Sequence, residues 1–355
     1  MVSPYDSLPG NAFWRTGVQG SDPAHPDGIY QPKFEIGRHD RITTAGSCFA
    51  QHIARHLRQA GYAVNDLEPA PDGMSDADAR RFGYGLYSAR YGNIYTVRQL
   101  LQLVEAAAGR FTPQDAAWEK DGRFYDALRP SVEPEGVESA EEVEALRGQH
   151  LDRVRRLIRT TDVFIFTLGL TEAWIHRDSG TVYPTAPGTI AGTYDPAVYE
   201  LKIFSVTDMV RDMKAVLGRL QRHNPGLRVI LTVSPVPLTA TASGSHVLRA
   251  TLHAKAVLRV VAETLCAEFD YVDYFPAFDI IMNPAARMGF FDDNLRSVSE
   301  AGVTSVMEVF RRAFGAAEHI TAPVAGAPAP DMEAEVEIEE GPLCEDLLLE
   351  AFAPR

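Results

Sequence analysis

Gly46-Ser47-Cys48 is the segment whose residue types and spacing are best suited to chemistry. It follows a short apolar stretch at 41–45 and precedes Phe49, Ile53 and Leu57 at helical spacing, so it reads as a strand-to-helix turn. A hydroxyl or thiol at such a turn faces free helix N–H groups and the positive end of the helix dipole, which stabilise developing negative charge. Nucleophilic attack on an acyl carbon is the chemistry this placement favours. Ser47 and Cys48 both qualify, and a thiol at a helix N-terminus needs less help from a base. A structural reading stands beside this one: serine is a common helix cap and cysteine a common small core residue.

Other polar segments close apolar runs in the same way. Gly169-Leu170-Thr171-Glu172 follows the run at 162–168, Ser234-Pro235-Val236-Pro237 follows 228–233, and a fourth run at 271–275 leads into Pro276 and Asp279. The runs suit strands buried on both faces. Between them lie helical segments whose starts fit capping boxes: Thr96/Gln99, Ser139/Glu142, Ser205/Asp208 and Ser297/Glu300. Strands alternating with amphipathic helices predict a mostly parallel sheet covered on both faces. Ligands of such sheets bind outside the carboxyl ends of the strands, so the polar segments are expected to converge. Residues 175–203 carry Gly180, Pro184, Pro187, Gly188, Gly192 and Pro196 and read as a long loop or lid beside the second strand.

Four blocks carry a resemblance. Thr44-Ala45-Gly46-Ser47-Cys48-Phe49-Ala50 resembles the signature that names the GSCFA family, which is similar to the SGNH/GDSL hydrolase superfamily. Tyr91-Gly92-Asn93-Ile94-Tyr95, the stretch 167–174 and Ser234-Pro235-Val236-Pro237-Leu238 resemble further blocks of that family, over about residues 11–315. The resemblance implies a flavodoxin-like three-layer α/β/α sandwich with a mostly parallel sheet. It implies Ser47 as nucleophile, with Cys48 as the alternative, and an oxyanion hole from Gly92, Asn93 and Thr171, where Thr171 replaces the superfamily's asparagine. Gly169, Glu172 and Arg296 are then expected to bind substrate, and Glu172 and Asp279 are also open as orienting or acid groups.

The late Asp-x-x-His pair of the superfamily becomes Asp293-Asn294-Leu295-Arg296. A guanidinium cannot serve as a general base near neutral pH. His246, which follows the Ser-Pro-Val-Pro segment, is therefore the candidate base, with Asp293 as its acidic partner, while Arg296 is expected to select an anionic group on the substrate. His52, His56, His176 and His253 have weaker claims, since helical or loop positions explain each.

Composition narrows the function classes. A chain of 355 residues with 45% hydrophobic content can bury a large core. Of the net charge of −14, residues 329–355 contribute −8 through nine acids and one base, leaving −6 for the rest. No basic stripe with interleaved aromatics is present, so no nucleic-acid partner is expected. No run approaches a membrane span, and the expected location is cytoplasmic. Cys48, Cys266 and Cys344 are too few and scattered for a disulfide framework or a metal knuckle, and no phosphate loop or dinucleotide fingerprint occurs. No cofactor or metal is expected.

Three regions follow: an aromatic-bearing arm (1–40) packed on the domain, an α/β domain (41–318), and an acidic Pro/Ala/Glu-rich tail (319–355) whose last apolar residues are candidates for docking or for a protein partner. The expected activity is that of an SGNH-type ester hydrolase or O-acyltransferase, with carbohydrate esters implied by resemblance alone. The alternative is a non-catalytic binding protein that recognises an anionic sugar or peptide.

Overall fold

The computed structural model describes residues 3–315 and 345–353. β1 (Ile42–Gly46) passes through Ser47 and Cys48 into α1 (Phe49–Gln59), whose Phe49, Ile53 and Leu57 turn inward. α2 (Asp76–Arg81) is capped by Ser75 and α3 (Val97–Ala107) by Thr96, whose hydroxyl accepts from the Gln99 N–H. A hairpin of β2 (Ala117–Lys120) and β3 (Arg123–Asp126) precedes α4 (Ala140–Thr160). β4 (Val163–Leu168) is followed by β5 (Glu172–His176), β6 (Val182–Tyr183), β7 (Tyr199–Ile203) and α5 (Val206–His223). β8 (Arg228–Val233), α6 (Val247–Glu268), β9 (Val272–Tyr274), α7 (Ala277–Ile281) and α8 (Glu300–Phe314) follow in order.

β1, β4, β8 and β9 form a sheet in the order β1-β4-β8-β9, with every pairing parallel. Val64 adds a parallel bridge to Ile42 on the outer side of β1, which completes a flavodoxin-like order of crossings. Successive residues of a strand point to opposite faces, and both faces here are covered. Phe164, Phe166, Val229 and Leu231 pack against α3, α4, α5 and α6, whereas Val163, Ile165 and Ile230 pack against α1, α7 and α8. The molecule is thus a three-layer α/β/α sandwich. Large side chains fill the space between its layers: Phe166, Phe275 and Phe310 are all at most 2% exposed.

Residues 175–203 are only partly loop. They contribute to a small antiparallel sheet in the order β6-β5-β7, and the glycines and prolines mark turns between strands of two to five residues. Gly180 supplies one turn at φ +68°, a conformation glycine adopts without strain. Tyr183 and Tyr199 from this sheet pack with Trp118 from the β2–β3 hairpin in a satellite core, with ring centroids 5.0 Å apart for Trp118–Tyr183. The expected cap of α8 also moves. Ser299 Oγ accepts from the Gly302 N–H, while the Ser297 N–H is taken by Asn294 Oδ1.

In the N-terminal arm, the Tyr30 hydroxyl and the Lys33 N–H both donate to Asp273 Oδ2 at 2.9 Å, and Ile36 is buried. Residues 316–344, with the expected linker and Cys344, lie outside the described residues. Among the described residues no helix is long and apolar enough to cross a membrane.

Candidate functional site

The turn after β1 is shaped by the neighbouring strand. Gly46 has φ +136°, and a Cβ there would stand 2.4 Å from the Thr167 carbonyl oxygen, so only glycine lets β1 lie this close to β4. The Ser47 N–H then donates to Thr167 O at 3.2 Å, and the serine is 3% exposed at the start of α1. Ser47 Oγ is buried and has no hydrogen-bond partner among the described residues. A buried hydroxyl without a partner costs free energy and calls for an explanation, of which a catalytic role is one. Cys48, also buried, occupies the cap position of α1.

Backbone hydrogen bonds stitch the polar strand ends together. Ile94 N–H donates to Gly46 O at 2.8 Å, and the N–H groups of Gly169 and Leu170 both donate to Tyr95 O, at 3.2 and 2.9 Å. Ser234 N–H donates to Leu168 O at 2.8 Å. The segments around Ser47, Gly92, Gly169 and Ser234 therefore do converge. Gly169 is held against the turn after β1: a Cβ at 169 would come 2.8 Å from Ser47 Cβ.

Gly92 and Asn93 line a cradle that holds a carboxylate of the chain itself. Glu345, 4% exposed, accepts from Asn93 Nδ2, from the Tyr95 hydroxyl at 2.8 Å and from Ser131 Oγ at 2.6 Å. Asn93 is oriented by the Tyr87 hydroxyl, which donates to Asn93 Oδ1, while Tyr87 accepts from Gln51 Nε2 of α1 at 3.1 Å. Gly92 has φ +66°, and its open side faces Glu345 Oε1. Thr171 is buried, its carbonyl accepting from Phe204 N–H at 2.7 Å.

Beyond Gly169 lies a cavity of about 200 Å³, bounded by Leu170, Glu172, Trp174, Leu238, Thr241 and Leu349. Glu172 Oε2 accepts from Thr241 Oγ1 at 3.0 Å, and burial pushes its carboxyl up from the ordinary range. The cavity is mostly apolar, with this single carboxyl to orient a ligand.

Two expected triad members fall elsewhere. His246 is exposed and caps α6, its Nδ1 accepting from Leu248 N–H at 3.2 Å, so the ring is engaged at a helix end rather than at the buried Ser47. Asp293 is exposed in a tight turn in which Asn294 Oδ1 accepts from both Arg296 N–H and Ser297 N–H and Leu295 has φ +54°. That turn directs Asp293 outward, and no described contact joins it to Arg296, His246 or Ser47. Arg296 is 9% exposed, so its guanidinium is not a surface group. Asp279 accepts from the Tyr274 hydroxyl at 2.5 Å and lies 3.4 Å from Arg259 Nε, which commits it to the β9 edge.

No other histidine is brought to the turn by a described contact. His52 is held to about 4 by burial and by the charge of Arg55, and His56 Nδ1 bonds the His52 carbonyl. His176 Nδ1 accepts from Asp178 and Ser179 N–H groups.

Four residues at the site were not among those expected from the sequence. Lys255 is 2% exposed, and its Nζ donates to the Gly169 carbonyl at 3.0 Å. Its position on the face of α6 that carries Ala254, Leu258 and Ala262 was a usable signal, because that face is apolar at helical spacing. Tyr95 sits in the Gly92 block and was legible as a neighbour. Ser131 and Glu345, far along the chain, carry no local signal of their roles.

The chain is thus an α/β/α protein whose polar strand ends meet at the carboxyl edge of the sheet. The GSCFA family model matches residues 41–310, and the chain belongs to the GSCFA family. A search among curated proteins finds no match. Among solved structures the chain is similar to a carbohydrate esterase family 3 protein from Talaromyces cellulolyticus, at 10% identity and TM-score 0.31, over 76% of this chain and 94% of that one. It is also similar to a putative GDSL-like lipase from Parabacteroides merdae, at 14% identity and TM-score 0.31, over 80% and 99% of the respective chains. A carbohydrate acetylesterase family member from Sinorhizobium meliloti gives 14% identity and TM-score 0.25 over 64% and 95%.

Proposed function

We propose that this chain is a serine ester hydrolase or O-acyltransferase whose nucleophile is Ser47. The observation that carries this reading is the Ser47 hydroxyl, buried and without a partner among the described residues at the start of α1, beside a cradle of donors that holds a carboxylate. Ser47 Oγ attacks the acyl carbon, its proton is taken up by a basic group, and the ester C–O bond breaks as the leaving alkoxide is protonated. The acyl group then passes to water in hydrolysis or to an acceptor hydroxyl in transfer. The N-terminus of α1 and the Asn93 amide face the charge that develops on the carbonyl oxygen. Lys255, anchored on the Gly169 carbonyl, is the basic side chain that described contacts place at this turn, and it stands where a histidine would be sought. The apolar cavity with Glu172 accommodates one side of the ester. The carbohydrate-ester class rests on family resemblance alone.

A second reading has an observation in its favour. The cradle already binds a carboxylate, as a non-catalytic receptor for an anionic peptide or sugar would. A fluorophosphonate probe separates the two. Covalent labelling mapped to Ser47, and absent from Ser47→Ala, supports the enzyme. Failure to label any form of the protein, including forms with the cradle vacated, overturns it.

A further inference from the structure

The donors around Asn93 are filled by the chain's own C-terminal segment. Glu345 lies about 250 residues from Asn93 and Tyr95 in sequence and 214 from Ser131, yet its carboxylate receives hydrogen bonds from all three. Three donors on one carboxylate, with the side chain 4% exposed, make a specific seat rather than a grazing contact. Glu345 begins a short 3-10 helix, Glu345–Phe352, and Leu349 in that helix closes the 200 Å³ cavity opposite Leu170, Trp174 and Leu238. One segment therefore fills two adjoining places: a polar seat with a carboxylate and an apolar one with a leucine four residues on. In this state Ser47 is 3% exposed.

The geometry points to Glu345–Phe352 as a built-in occupant of the candidate site, holding the resting chain closed to acyl ligands until the segment is released. The consequence for Ser47 rests on the hydrolase reading; the occupancy does not. Because the occupant is part of the chain, docking is intramolecular, and a free competitor sees only the fraction of molecules whose seat is empty. The ligand class the seat defines is an acidic peptide side chain followed by an apolar residue one turn later.

The test uses the full-length chain and its Glu345→Ala/Leu349→Asp double variant. The probe is a fluorescein-labelled peptide of residues 341–353, with Cys344→Ser to prevent oxidation. If the segment is docked in about 90% of molecules or more, the peptide binds the double variant at least about tenfold more tightly than the native chain, by anisotropy. Adding Asn93→Asp to the variant should abolish that binding through carboxylate repulsion. Equal peptide binding to native and double-variant chains, or none to either, overturns the proposal. Glu345→Gln, which keeps size and removes the acceptor charge, is the control against misfolding and should show an intermediate gain. Fluorophosphonate labelling is read in the same samples. A rise of about tenfold in the double variant supports both readings. Gain of peptide binding with no labelling keeps the occupancy and sinks the nucleophile.

Discussion

Gly169 lies directly against Ser47, close enough that a Cβ at 169 would stand 2.8 Å from the serine Cβ and 3.1 Å from the Tyr95 carbonyl oxygen. Neither neighbour is the loose end of a long side chain. Gly169→Ala is therefore expected to displace the turn at Ser47 and, on the hydrolase reading, to lower fluorophosphonate labelling by about 100-fold, as a misplacement near 1 Å does, at a stability cost of about 1–3 kcal/mol. Labelling at the native rate would show that the turn tolerates the displacement or that Ser47 is not the reacting group.

Ser47→Ala should separate chemistry from stability. Removing a hydroxyl that has no partner among the described residues forfeits no described hydrogen bond, so the unfolding free energy is expected to stay within about 1 kcal/mol of native or to rise. Probe labelling is expected to vanish. A loss of several degrees in Tm would instead mark the hydroxyl as a structural group.

The parallel sheet was readable because strands buried on both faces are unbroken apolar runs, as at 162–168 and 228–233, and because serine and threonine caps such as Ser205 announce helices. The strand-to-helix turn at Ser47 was readable for the same reason: a glycine and a small polar residue interrupt two apolar patterns. The antiparallel sheet of β5, β6 and β7 was not, since strands of two to five residues are too short to show alternation among glycines and prolines. Lys255 was not among the expected site residues, because a single lysine on an apolar helix face carries no motif, and His246 was credited for following the right strand although helix capping explains it. Glu345 was beyond local reading, because a carboxylate in an acidic tail looks like every other solvated one until the fold supplies its donors.

Thr167 and Thr232 are paired neighbours across β4 and β8, and each holds a buried hydroxyl with no partner among the described residues. Valine has nearly the same shape and suits a central strand. Thr232→Val is expected to raise stability by about 1 kcal/mol, measured by urea unfolding. A decrease would show that the hydroxyl has a partner in solution, such as a buried water.

His150 sets an acid limit on stability. It is 2% exposed on α4, its Nδ1 lies 2.7 Å from Glu68 Oε2, and its Nε2 is buried without a partner among the described residues. Burial holds it to about 4, helped by the charge of Arg129 and opposed by the carboxylates of Glu68 and Asp126. The unfolded chain protonates this imidazole near 6.5, so the stabilisation is complete above that pH and is lost as pH falls from 6.5 toward 4. The loss is on the order of 3 kcal/mol. Melting curves between about pH 8 and 4 should show it, and His150→Gln should flatten the slope. An unchanged slope in that variant would assign the acid sensitivity to other groups.

Lys255 joins α6 to the turn at Ser47 through a hydrogen bond to Gly169 O. Lys255→Met keeps the packing of the stem but removes the donor and the basic nitrogen. It is expected to lower turnover of a simple aryl ester by about 100-fold or more and to change the shape of the pH–rate profile, since general-base assistance contributes about 100- to 10,000-fold. A profile that merely shifts down, unchanged in shape, would make Lys255 a positioning residue.

Trp174 lies in the wall of the cavity that Leu349 closes, whereas Trp118 is buried in the satellite core and Trp14 is 68% exposed. With three tryptophans in the whole sequence, these account for all of its indole emission. The molecule thus carries an optical reporter beside its own stopper. Trp14→Phe would silence the solvent-exposed background, and the remaining emission would follow departure of the leucine, in real time and with no label, as water reaches one face of a single ring.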